Sequence, residues 1–122
     1  MDPSSEYPLL GALRAKADNG DVEAQYELGW RHALGHSAPE DEAEAIRWLR
    51  KAAENGHGLA QNNLGARYLA GEGVPCDRVE AYKWFHLAAE NGDRKAGKNR
   101  DSIAAEMTPE QIEEAKRRIS CQ

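Results

Sequence analysis

The sequence predicts an all-α protein: a right-handed α-α superhelix, or solenoid, of helix–turn–helix repeats with about seven helices. Three observations carry this. Residues 21–56 recur without a gap as residues 57–92, and sixteen of the 36 aligned positions are identical. Within each block, small and apolar residues return at three- and four-residue steps, the spacing of one helix face. Turn residues stand at matching places: Gly35 and Gly71, Pro39 and Pro75, Asp41 and Asp77, and an Asn-Gly pair closing each block. A regular period of this kind marks stacked units, none of which can bury its apolar face alone.

The elements follow in chain order. Residues 9–20 are the second half of a degenerate unit, because ALRAKADNG at its end lies over WLRKAAENG of the next block. Repeat 1, residues 21–56, opens with a helix over 22–34 that aligns Ala24, Leu28 and Ala33. Gly35 suits the left-handed residue that closes a helix. After the loop GHSAPED, Asp41 is placed to cap a second helix, and Glu42 and Glu44 complement its positive end. That helix runs to about Glu54, with Ala45, Trp48, Leu49 and Ala52 on one face. Repeat 2, residues 57–92, uses Gly71, the loop GEGVPCD, Asp77, and then Ala81, Trp84, Phe85 and Ala88 in the same roles, ending near Glu90. Ala24 and Gly29 let the paired helices approach closely, and Trp48 or Trp84 fills the space between neighbours.

Residues 93–107 restart the pattern with Asp93 and Ala96. They then depart from it, with Arg100 and Asp101 where the repeats have leucine and glycine, as expected of a terminal unit. Residues 108–120 form a last helix. Thr108-Pro109-Glu110-Gln111 is a capping box with proline at the first helical position, and Ile112, Ala115 and Ile119 make one apolar stripe. This helix is expected to cover the open end of the stack.

Composition narrows the function classes. The 122 residues carry a formal net charge of −5, with 30% charged and 7% aromatic residues. An acidic balance opposes general binding to nucleic acid or anionic membranes, which needs a basic excess. Lys116, Arg117 and Arg118 fall at the end of the last helix, where cations complement the dipole. Cys76 and Cys121 are far apart and follow no metal or redox spacing. The acidic, proline-containing start offers no basic leader region, and no apolar run approaches the length of a membrane span, so a reducing cytoplasm is the expected location.

The strings AQYELG and AQNNLG, the loop GEGVPCD, and the endings WLRKAAENG and WFHLAAENG closely resemble the Sel1-like repeat, a branch of the tetratricopeptide-type solenoids. The resemblance covers about Leu9 to Ile119. Repeat 2 is the better match, with Tyr68 at the family's aromatic position. Repeat 1 has His32 there, and Ser37 where the loop usually has glycine. The resemblance implies an adaptor that binds another protein, as a peptide or helix, through a concave surface lined by the first helices. Some cysteine-rich members bridge the two helices of each repeat, a pattern this chain lacks.

On that basis the candidate partner-binding residues are Glu27, Trp30, Arg31, Asn62, Asn63, Arg67 and Asn99, with Leu34, Ala66, Ala70 and Lys98 beside them. Arginine and asparagine fix carboxylates and peptide backbone, and tryptophan is a common interface anchor. The alternatives are structural: Trp30 packing on the N-terminal helix, and Arg31 and Arg67 pairing with acids of adjacent helices. His32 and His36 have helical metal-pair spacing, but Gly35 intervenes and no third ligand is evident. His57 reads as a helix-start residue and His86 as a solvated or half-buried one. Cys76 lies in a loop beside Asp77, which does not activate a thiol. The sequence contains no nucleophile, phosphate-loop or zinc-protease motif. No enzyme activity, metal or cofactor is expected. Two rivals stand beside the adaptor: a β-lactamase-like hydrolase, as suggested for cysteine-rich relatives, and a self-assembling scaffold. The terminal helix opposes end-to-end growth, so a monomer or weak dimer is expected.

Overall fold

The computed structural model describes residue 7 and residues 9–121. The acidic start read from the sequence falls mostly on residues 1–6 and 8, outside the described residues. Among the described residues seven helices follow one another and there are no strands. They are α1 (Leu10–Asp18), α2 (Val22–Leu34), α3 (Glu42–Glu54), α4 (Gly58–Ala70), α5 (Arg78–Glu90), α6 (Arg94–Ala104) and α7 (Pro109–Ser120). The chain forms two compact units, one ending at His57 and the other beginning at Gly58.

The helix ends are the ones the sequence specified. Asp21, Asp41, Asp77 and Asp93 each accept a backbone N–H of the first turn of the following helix. Gly35 takes the left-handed conformation at φ +65°, and Gly71 does so at φ +73°. Thr108 and Gln111 complete the reciprocal capping box of α7. Ser37 is a departure with a visible consequence. It holds φ +58°, the left-handed value that its counterpart Gly73 adopts at +76°. A side chain there costs strain that glycine avoids.

In the first unit, α2 packs on both α1 and α3. Leu10 and Ala17 of α1, Ala24 and Leu28 of α2, Ala38 of the loop and Trp48 of α3 form one buried cluster, with Tyr7 and Leu13 at its edge. Trp48 therefore fills the space between helices as expected. Gly29 allows α2 and α3 to approach, since a Cβ placed there would sit 2.8 Å from Leu49 Cγ. Gln25, only 2% exposed, donates to Ala17 O at 3.1 Å and accepts from Asn55 Nδ2 at 3.2 Å. One buried amide thus ties all three helices of the unit together.

In the second unit, α5 is central and packs against α4, α6 and α7. Gly65 repeats the close approach, here against the Phe85 ring at 3.0 Å. Gln61 repeats the buried amide, accepting from Asn91 Nδ2 at 2.8 Å. The terminal helix docks by Ala115, which is fully buried, while Ile112 and Ile119 are only half-buried. Arg118 then reaches back to Glu80 and Asp77. Its guanidinium is held charged above the usual arginine range, first by the hydrogen bond to Glu114, and also by Glu80 and Asp77.

Candidate functional site

The candidate residues fall into two groups, one per unit. Glu27, Trp30 and Arg31 lie on α2 of the first. Asn62, Asn63 and Arg67 lie on α4 of the second, and Asn99 is exposed on α6 of the same unit. Apart from Asn99 they are half-buried.

The two arginines share a local arrangement. Arg31 Nη2 lies 3.6 Å from Glu27 Oε2, and Arg67 Nε donates to Asn63 Oδ1 at 2.9 Å. In each case an oxygen one helical turn earlier orients the guanidinium. Both of these partners stand on the arginine's own helix. The i,i+4 geometry is satisfied within α2 and within α4. Arg31 Nε and Asn62 Oδ1 are also buried with no hydrogen-bond partner.

Trp30 is half-buried. Its ring stacks on His36 with centroids 5.7 Å apart, and Arg31 Cζ lies 5.9 Å from its centroid. It also borders an open hollow of about 330 Å³ with Leu13 and Lys16 of α1, and Asp21, Glu23, Ala24, Tyr26 and Glu27 of α2 and its cap. Leu34, at the end of α2, is 72% exposed.

The histidines separate into different roles. His32 is 3% exposed, and its Nδ1 lies 2.8 Å from Pro39 O. A carbonyl only accepts, so Nδ1 carries the hydrogen. The backbone of Asp41 donates to His32 O at 2.9 Å, as that of Asp77 does to Tyr68 O. His32 is thus a latch for the loop after α2 and shares no ligand with exposed His36. Among the described residues no three His, Cys, Asp or Glu side chains could hold a metal ion together. His57 immediately precedes α4, as read, but its ring folds back on α2. It stacks on Tyr26 at 4.5 Å and places Nε2 3.1 Å from Glu23 Oε1. Half-buried His86 accepts from Arg100 Nη1 at 3.1 Å.

Sequence reading missed Leu13, Lys16 and Tyr26 as parts of this surface. Tyr26 precedes Trp30 by four residues and signalled the row. Leu13 and Lys16 carried no signal, because their place depends on how α1 lies against α2.

With this geometry in hand, comparison with known proteins gives a consistent result. The family model for the Sel1 repeat matches residues 22–57 and 58–93. Among solved structures, the chain is similar to a protective antigen present in uropathogenic Escherichia coli strains, described as displaying an SLR fold. That pair is 33% identical with a TM-score of 0.82, over 94% of this chain and 25% of the other. It is also similar to a Sel1 repeat protein from Oxalobacter formigenes, 37% identical with a TM-score of 0.71, over 75% of this chain and 26% of that one. The chain therefore spans about a quarter of either protein. No curated protein sequence matches it.

Proposed function

This chain belongs to the Sel1 repeat family, and from that membership we propose that it is a non-catalytic protein-binding module that takes a partner peptide or helix on the first helix of a repeat, α2 in the first unit or α4 in the second. One observation carries the reading. Each of these helices presents an arginine already oriented by an oxygen four residues earlier, Arg31 by Glu27 and Arg67 by Asn63. A guanidinium held in place gives up less rotamer freedom on binding, which favours recognition of carboxylates and peptide carbonyls. Trp30 supplies aromatic area beside the first arginine. Insertion into a membrane forms no part of this function, and among the described residues no helix is long and apolar enough to cross one.

The experiment is a peptide-display selection on the purified chain. Enriched peptides are then titrated against the wild type and against Trp30→Ala, Arg31→Ala and Arg67→Ala. Affinity is expected to fall about tenfold or more in at least one of the three, the scale of an interface anchor. Enriched peptides that bind all three variants as they bind the wild type would overturn the assignment, and so would a selection that enriches nothing.

A further inference from the structure

We propose that the hollow beside α2 is a recognition site for a lysine or arginine side chain of a partner polypeptide. This site lies within the binding face proposed above and depends on it, adding the chemistry of what that face takes.

Two parallel rows run along α2. Tyr26, Trp30 and Leu34 stand four residues apart and form an aromatic and aliphatic row, as residues one turn apart share a helix face. Glu23 and Glu27 form an acidic row beside it, extended by Asp21 at the helix start. Leu13 of α1 provides further apolar lining, and among the described residues Lys16 is the only basic one in it. The described lining therefore carries three carboxylates against one ammonium.

Internal contacts leave these carboxylates with capacity. Asp21 Oδ1 accepts from Ala24 N, Glu23 Oε1 meets His57, and Glu27 Oε2 meets Arg31. An ionised carboxylate has about four acceptor positions, so each can take a further donor. The Glu23 side chain is 83% exposed and that of Glu27 is 40% exposed, within reach of an incoming group.

A long basic side chain matches this lining along its whole length. Its methylene stem packs on Leu13 and Trp30 while its charged head reaches the carboxylates. Trp30 already draws a guanidinium, that of Arg31, to 5.9 Å from its ring centroid. The volume of about 330 Å³ is at the small end of ligand pockets, suited to one side chain rather than a folded segment. An apolar residue beside the base would rest on exposed Leu34. An acidic side chain would meet like charge, and the net charge of −5 steers basic segments toward the chain.

The test uses pools of short random peptides whose central residue is fixed as Arg, Lys, Gln or Glu, passed over the immobilised intact chain. The Arg and Lys pools are expected to be retained about tenfold over the Gln and Glu pools, with the preference falling as salt is raised. The double variant Glu23→Gln/Glu27→Gln, checked for unchanged helicity, is expected to lose the preference. Equal retention of all four pools, or a preference that survives the double variant, overturns the basic-residue site and leaves the α2 binding face standing. Full competition by ammonium ion at matched ionic strength, with no methylene stem to pack, would make the hollow a small-cation pocket and also overturn it. Retention of no pool overturns both the site and the face.

Discussion

Arg118 Nη1 donates to Glu80 Oε2 at 3.1 Å, joining α7 to α5 across 38 residues of sequence. The repeat shows what that contact replaces. Glu44, the counterpart of Glu80, accepts from the Trp48 indole at 3.1 Å. Trp84, the counterpart of Trp48, has a buried indole nitrogen with no partner, and Lys83 Nζ lies 4.4 Å from its ring centroid. Glu80 Oε2 also lies 3.7 Å from Lys83 Nζ, so Arg118 and Lys83 together hold the carboxylate whose counterpart accepts from the tryptophan in the first repeat. An unpartnered buried donor costs about 1–3 kcal/mol and an exposed ion pair returns ~0–1 kcal/mol, so the Arg118–Glu80 contact offsets only part of what the Trp84 indole loses.

Arg118→Ala is therefore expected to return Glu80 to Trp84. The indole N–H resonance of Trp84 should move toward that of Trp48 in a ¹⁵N–¹H spectrum, while global stability changes by about 1 kcal/mol or less. An unmoved Trp84 resonance would show that Arg118 does not control this carboxylate.

Gly29→Ala should destabilise the chain, because the new methyl falls 2.8 Å from Leu49 Cγ and 3.2 Å from the Leu49 backbone nitrogen. Overpacking of this kind costs about 1–3 kcal/mol, only partly offset by the gain in helix propensity. Gly11→Ala is the control. Nothing lies within 4 Å of its Cβ position, so it should gain about 0.5–1 kcal/mol. Urea denaturation of the two variants reads the difference, and a Gly29→Ala protein as stable as Gly11→Ala would refute the close approach.

Asn55→Ala removes the donor to Gln25 Oε1 inside the first unit. Gln25 is 2% exposed and cannot turn to water, so the loss should be about 1–3 kcal/mol in the same measurement. A change within a few tenths of a kcal/mol would mean the buried amide contributes little to joining α1, α2 and α3.

The pH dependence of α7 follows from Glu114. Hydrogen bonds from Arg118 and then Arg117 hold its carboxyl below the usual carboxylate range. A carboxyl lowered in the folded state contributes stability above its unfolded pKa and loses it as pH falls through the folded one. Glu114→Gln should thus lower the melting temperature near pH 7, with an effect that shrinks as the pH falls toward about 2. Equal effects at both pH values would remove the charge-based account.

The sequence by itself determined the helices, their caps and their buried faces. Asp41 bonds a residue three positions ahead, Gly35 closes its own helix, and Ala45, Trp48, Leu49 and Ala52 meet by helical spacing alone. Such relations are local, so the order of residues is enough to specify them. The sequence also put Trp30 and Arg31 on one outward face of α2, where both are half-buried. Only the tertiary structure decided the rest. The hollow needs α1 to bring Leu13 and Lys16 beside α2, and Gln25 meets Asn55 across 30 residues. Glu44 and Glu80 occupy one repeat position and each meets the cation three residues on, yet Glu44 also accepts from Trp48 while Glu80 accepts from Arg118. Identical local sequence sets the same helix, but the partner of a side chain depends on which helix packs against it.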